Sequence, residues 1–241
     1  MSSDLRSIID HSTSIVFFGG AGVSTESGIP DFRSGSGLYS TARQARYAPE
    51  QILSRSFFLQ HPEEFFAYYR THLLYPGARP NAAHRALAAW ERAGKLSAVV
   101  TQNIDGLHQA AGSHRVLELH GSVHSNTCLG CSRRFGLEVM LHSTSIPRCD
   151  ACQGIIKPDV VLYEEGLDGN VLDAAVAELE QADTLIVGGT SLVVYPAAGL
   201  VHAFRGGNLV LINKAATSLD RLATLTIREP IGEALAPFVN D

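Results

Sequence analysis

The chain has 241 residues, 45% of them hydrophobic, and a formal net charge of -5, which is enough for one substantial core and a small second lobe. Acidic and basic residues are mixed along it, so there is no electrostatic footprint for DNA or RNA and no polybasic arm for a membrane surface; direct nucleic-acid binding is not expected. No apolar run approaches the roughly 18 residues that cross a bilayer, and Met1-Ser2-Ser3-Asp4-Leu5-Arg6 lacks the basic-then-apolar layout of a signal peptide, so the expectation is a cytoplasmic protein without membrane contact.

Short β-branched or apolar runs predict buried parallel strands at 14–18, 98–101, 116–119, 160–163, 184–187 and 208–212. Helical spacing of apolar residues predicts helices at 84–93 and 171–179, and Pro196 suits the first turn of another at 196–204. Strands alternating with helices imply an α/β fold, a doubly wound, mostly parallel Rossmann-like sheet. Two stretches interrupt the alternation. The expected arrangement is a large lobe from 1–33, 80–121 and 158–241, and a small lobe from a helical insertion at 34–79 and a cysteine-bearing insertion at 122–157. Ligands of such sheets sit beyond the carboxyl ends of the strands, so chemistry is expected in a cleft between the lobes.

The four cysteines fall as Cys128-x2-Cys131 and, after seventeen residues, Cys149-x2-Cys152. This spacing suits two knuckles of one zinc site; two disulfides are the alternative reading. Near the N-terminus, Gly20-x-Gly22 follows the strand 14–18 and would let backbone N–H groups approach a pyrophosphate at a helix start. A third glycine is missing, since position 25 is Thr25, and Ser40 and Thr41 stand where an acidic residue would hold the adenosine ribose. Hydride transfer is therefore disfavoured.

The continuation Gly20-Ala21-Gly22-Val23-Ser24-Thr25-Glu26-Ser27-Gly28-Ile29-Pro30-Asp31-Phe32-Arg33 resembles the signature of the sirtuins, the NAD-dependent protein lysine deacylases. The resemblance recurs in register at Pro80-Asn81-x2-His84, Thr101-Gln102-Asn103-Ile104-Asp105-x-Leu107-His108, Leu119-His120-Gly121, the cysteines, Lys157-Pro158-x-Val160-Val161, Gly189-Thr190-Ser191 and Ile212-Asn213. It implies that NAD is consumed: the bond between nicotinamide and ribose breaks, and the acyl oxygen of a modified lysine attacks the exposed anomeric carbon.

By that resemblance His120 is the catalytic base, because an imidazole with a pKa near 6.5 can accept a ribose hydroxyl proton at neutral pH. Ile104 and Asp105 would hold the nicotinamide carboxamide. Gln102, Asn103 and Ser24 would contact ribose or an ordered water, and Phe32 would cover the reacting carbon. Asn103 and Asp105 also read as helix caps. Gly20, Ala21, Gly22 and Thr25 would line the phosphates, with Arg33 as a positive partner and Asp31 also on the cofactor side, Gly189, Thr190 and Ser191 closing the other side, and Asn213 reaching the adenosine ribose. The zinc is expected to be structural. His84 and His108 are expected to brace the fold, and His124 to be an ordinary surface or hydrogen-bonded histidine.

The expected partner is an acyl-lysine protein or peptide, added as an extended strand between 162–166 and Val193-Val194. Tyr163 and Val193 would touch it, and Val160 and Val161 would flank an apolar tunnel for the lysine stem. Where the family reads Phe-Gly-Glu, this chain has Tyr163-Glu164-Glu165; the added carboxylate reads either as an attraction for basic peptides or as a solvated acid. Succinyl- and malonyl-preferring relatives pair a tyrosine with an arginine at the positions of Phe66 and Tyr69, so acetyl or longer apolar acyl groups are expected, with Arg70 the feature that could upset this. The competing readings are protein ADP-ribosyl transfer by the same cleft and a non-catalytic NAD or acyl-peptide sensor.

Overall fold

The structure is a computed structural model describing residues 3–32, 34, 37, 39 and 46–239; Arg33, Ser40 and Thr41 lie outside the described residues. The strands are β1 (Ile15–Gly19), β2 (Leu96–Thr101), β3 (Val116–Glu118), β4 (Gly121–Cys128), β5 (Arg134–Phe135), β6 (Ile156–Val160), β7 (Thr184–Gly188), β8 (Asn208–Ile212) and β9 (Leu225–Ile227). Six of them form a parallel sheet in the order β3-β2-β1-β7-β8-β9. Every residue of β1 is buried, because both faces of a parallel sheet are covered and the strand must be apolar throughout. Phe17 joins Leu87, Trp90 and Phe238 on one face, and Phe18 joins Leu179, Leu185 and Leu211 on the other.

The covering helices begin on side-chain caps. Helix Ala82–Arg92 opens on a capping box in which Asn81 accepts from the Ala83 N–H and the His84 ring accepts from the Asn81 N–H. Asp168 accepts from the N–H groups of Asn170 and Val171 at the start of helix Gly169–Gln181. The connections reverse direction on either side of β1, which opens a crevice at the carboxyl ends of β1, β2, β7 and β8.

A second, antiparallel sheet has the order β5-β4-β6. Its apolar face and the helices Arg55–Gln60 and Pro62–His72 share one core, in which Phe57, Phe58, Phe65, Phe66 and Tyr69 meet Val123, Cys128, Cys149 and Ile156. The two interruptions of the α/β pattern thus complete each other, since neither has enough apolar surface to make a core alone.

The run at 160–163 departs from its expected place in the large sheet. Its strand, β6, spans Ile156–Val160 and pairs antiparallel with β4. Apolarity marks a buried strand but not the sheet it joins, and Pro158 is tolerated because β6 is an edge. The element expected at 196–204 is a 3-10 helix, Ala197–Ala203. The amphipathic helix Ser3–His11, which buries only Leu5 and Ile9, and the three-residue edge strand β9 have signals too short for the sequence to reveal.

Candidate active site

A cleft of about 1650 Å³ runs along the carboxyl ends of the large sheet and under the small one, larger than the roughly 300–1,000 Å³ of a single small-ligand pocket. Its floor is the glycine turn after β1. The chain leaves β1 as two short 3-10 turns, Ala21–Val23 and Thr25–Ser27, where the sequence suggested a longer helix whose dipole would face the ligand. The Gly22 N–H is also committed, donating to the Gly189 carbonyl at 2.8 Å, so Gly22 cannot offer it to a phosphate. Its lack of a side chain is what the fold requires: a Cβ there would lie 2.8 Å from Gly189 Cα and O. Gly189, at φ +58, has no room for a Cβ against the Val23 nitrogen. The glycines join the β1 and β7 loops into one wall, where Gly20, Ala21, Gly22, Ser24, Thr25, Asp31 and Phe32 face Gly189, Thr190 and Ser191. Asn213, at the end of β8, lies farther along.

The loop after β2 supplies the polar centre. Ser24 Oγ donates to Asp105 Oδ2 at 2.6 Å, and Asn103 Nδ2 donates to Ser24 Oγ at 3.1 Å. Gln102 Nε2 donates to Thr190 Oγ1 at 3.0 Å, linking the β2 loop to the β7 loop. Asp105 also accepts from the Leu107 N–H at 2.9 Å, but the N-cap of helix Leu107–Ala110 is Gly106, so neither Asp105 nor Asn103 is its cap. Burial raises the Asp105 carboxyl above its usual range, and the bonds from Ser24 and Leu107 pull the other way.

His120 reaches this centre from the end of β3. Its Nδ1 lies 2.9 Å from the Gln102 carbonyl oxygen. A carbonyl only accepts, so Nδ1 carries the proton and Nε2 is the basic atom. Burial pushes the ring's pKa below the ordinary 6.5, outweighing the Gln102 bond that favours the charged form. The following Gly121 has φ +74, and a Cβ there would overlap the Asp159 carbonyl oxygen of β6. That close crossing lets the Val161 N–H donate to the His120 carbonyl at 2.9 Å and brings Val160 and Val161 into the cleft beside the imidazole.

Tyr163 also lines the cleft, whereas Val193 is 56% exposed and it is Val194 that lines the wall. The Tyr163 N–H donates to the Leu53 carbonyl and its carbonyl accepts from the Arg55 N–H, both at 3.0 Å, so an added strand must pair at neighbouring residues. The added carboxylate, Glu164, is exposed, as a solvated acid would be, but is held in place. Glu164 accepts from the Ser56 N–H and Oγ at 2.8 and 2.9 Å. Glu165 pairs with Lys157 Nζ at 3.2 Å and accepts from the Leu162 N–H at 2.9 Å.

The four cysteine sulfurs lie within 4.8 Å of one another. The Cys128–Cys152 and Cys131–Cys149 distances, 3.4 and 3.7 Å, are far beyond the roughly 2.05 Å of a disulfide. They approach the spacing of thiolates about 2.3 Å from a shared tetrahedral zinc. The knuckles have matching backbones: the Ser132 N–H returns to the Cys128 carbonyl and the Gln153 N–H to the Cys149 carbonyl, with φ +60 and +61 after each second cysteine. The residues present fit a zinc ion closed off by four sulfurs, and the two-disulfide reading falls.

Three features of the site had little sequence signal. His124 lines the cleft, sets Nε2 3.1 Å from the Asp105 carbonyl oxygen and leaves no room for a side chain at Gly106. Arg228 donates to the carbonyls of Asn213 and Ala215, at 3.2 and 2.7 Å, and pairs with Asp220. Tyr39 meets Tyr163. Their partners are distant in sequence and could be found only through the fold. Asn81 Nδ2 donates to the Val23 carbonyl at 2.7 Å and to Ser27 Oγ at 3.0 Å, bracing the glycine turn from behind. His84 and His108 lie beneath it, fully buried with ring centroids 4.7 Å apart.

A switch-point cleft, a neutral histidine beside an amide–carboxylate network and a four-thiolate knuckle define a nucleotide-binding α/β protein with a metal-stapled lobe. The Sir2 family pattern matches residues 20–196, and the chain belongs to the Sir2 family. A protein of Clostridium acetobutylicum named NAD-dependent protein deacetylase is 58% identical over 238 residues, covering 98% of this chain and 97% of that one. One of the same name from Cutibacterium acnes is 58% identical over 228 residues, covering 95% and 93%. Among solved structures, a Sir2 homologue in complex with NAD superposes with a TM-score of 0.88 at 39% identity, covering 99% of this chain and 93% of that one. A complex of Sir2 with a p53 peptide and NAD+ gives a TM-score of 0.85 at 39% identity, covering 98% and 96%.

Proposed function

We propose that the chain is an NAD-dependent protein lysine deacetylase that releases nicotinamide and transfers the acyl group of a modified lysine to ADP-ribose. The carrying observation is the His120 imidazole, with its proton held at Nδ1 by the Gln102 carbonyl and Nε2 left basic in the wall of the cleft. The names of the relatives, similar over more than 90% of both chains, support the activity, and the peptide complex supports a protein substrate.

NAD supplies, when bound, an anomeric carbon whose bond to nicotinamide can break. His120 takes a proton at Nε2 from a ribose hydroxyl. Asp105 and Ile104 hold the carboxamide, while Gln102, Ser24 and Asn103 fix the ribose side. Phe32 shields the reacting carbon from water. The glycine turn and the Gly189-Thr190-Ser191 loop flank the phosphates, and Asn213 takes the adenosine ribose. Val160 and Val161 flank the lysine stem. Cys128, Cys131, Cys149 and Cys152 would hold a zinc ion that ties the small lobe together, with no position open to water; cysteines free of disulfides suit a reducing cytoplasm. Apolar acyl groups are preferred, because Phe66 and Tyr69 are fully buried and Arg70 is turned to the Ser145 carbonyl at 2.8 Å.

The test is incubation with an acetyl-lysine peptide, with and without NAD, following peptide mass and nicotinamide release beside His120→Ala. NAD-dependent loss of the acetyl group with formation of acetyl-ADP-ribose, absent in the variant, is expected. Nicotinamide release with the acetyl group retained would overturn the reading.

A further inference from the structure

The hydroxyls of Tyr39 and Tyr163, both in the cleft wall, are 2.6 Å apart, a full O–H···O hydrogen bond. Each tyrosine is mounted on a different part of the site. The Tyr39 N–H donates to the Phe32 carbonyl at 2.9 Å, and the Tyr39 ring meets the Phe32 ring edge-on with centroids 5.7 Å apart. Tyr163 is fixed to the other wall through Leu53 and Arg55, in a parallel bridge with Ser54. Its neighbour Glu164 clamps the same helix start through Ser56. Tyr163 is still 39% exposed, at the point where an acyl-lysine peptide would enter. One hydrogen bond therefore connects the peptide side of the cleft to the aromatic ring on its cofactor side.

We propose that Tyr163 is a positioning residue for Phe32: through Tyr39 its hydroxyl holds the phenylalanine ring over the reacting carbon and so sets how NAD cleavage divides between acyl transfer and return of nicotinamide. The inference rests on the deacetylase reading above. A ring that shields the carbon fully lets only the docked acyl oxygen reach it; a ring free to tilt readmits nicotinamide or water.

The experiment uses Tyr163→Phe, Tyr39→Phe and the double variant, each of which keeps the rings and removes only oxygen. Two rates are measured on the full chain with an acetyl-lysine peptide: incorporation of labelled nicotinamide into NAD, and formation of acetyl-ADP-ribose. The ratio of exchange to acetyl transfer is expected to rise roughly 2- to 10-fold in each single variant, the effect of one hydrogen bond, and no further in the double variant. A purely structural loss would lower both rates together and leave the ratio fixed. An unchanged ratio, or two shifts that simply add, would overturn the proposal while leaving the deacetylase reading intact. If the unmodified protein removed no acetyl group in the presence of NAD, the functional reading itself would fall and take this proposal with it.

Discussion

At the scale of single residues, the site depends on which histidines are neutral and where their protons sit. The pKa of His120 is depressed by burial, so its basic form persists to a lower pH than that of a free imidazole. The acidic limb of kcat/KM is therefore expected to have its midpoint below about 6.5, measurable in a pH–rate profile with His120→Ala as the blank. His84 and His108 give a stability effect of the same sign. Desolvation lowers His84 to about 4 and His108 well below its ordinary value. Above about pH 6.5 both rings are neutral, folded or unfolded, and pH has no effect through them. As pH falls below that, the unfolded chain gains protons that the buried pair refuses, so stability is lost, for His84 down to about pH 4. A loss of about 2 kcal/mol from His84 alone is expected between pH 7 and pH 5, read as a falling midpoint of urea unfolding in excess zinc.

At the scale of elements, turns and knuckles matter more than regular structure. The zinc knuckle holds the end of β4 against the start of β6, and Cys128 and Cys149 are buried in the core they share with the helical insertion. Cys149→Ser is expected to lower bound zinc, thermal midpoint and activity together, with the relative rates on different acyl peptides unchanged; metal content and activity on the same sample check this. Retention of zinc and full activity would refute a structural role. Gly154→Ala is a milder version, since its Cβ would lie 2.9 Å from Cys128 Sγ, and a sulfur held by a metal cannot move aside. Gly189→Ala acts on the large lobe. Its left-handed backbone and the contact with the Val23 nitrogen mean the β1 and β7 loops must separate, and a loss of NAD affinity of about 10-fold or more is expected by calorimetry.

At the scale of the whole molecule, the cleft exists because two insertions far apart in sequence fold into one lobe over the sheet's switch point. The proposed acyl preference also belongs to this scale. Arg70, the candidate cation for an acidic acyl group, is not among the residues that line the cleft and faces the Ser145 carbonyl, and Phe66 and Tyr69 are fully buried. A buried succinyl carboxylate would lack a compensating cation, at a cost of several kcal/mol. Its kcat/KM is expected to be at least about 100-fold below that for acetyl; comparable rates on matched peptides would contradict this. Among the described residues no helix is long and apolar enough to cross a membrane.

The sequence by itself determined the class of sheet and the four cysteines that meet in one cluster, because these are written in local patterns, strand runs and paired CxxC spacing, while its short motifs marked residues such as Ser24, Asn103, Asp105 and His120 that line the cleft. It could not show that 156–160 leaves the large sheet for the small one, that Gly22 gives its N–H to Gly189, or that Glu164 and Glu165 are tied to Ser56 and Lys157. Nor could it pair Tyr39 with Tyr163, 124 positions apart. Such contacts join segments whose separation in sequence carries no information about their distance in space. The direction of a side chain, the proton on His120 and the partner of each buried polar group were decided only when the tertiary structure brought the loops together and withdrew them from water.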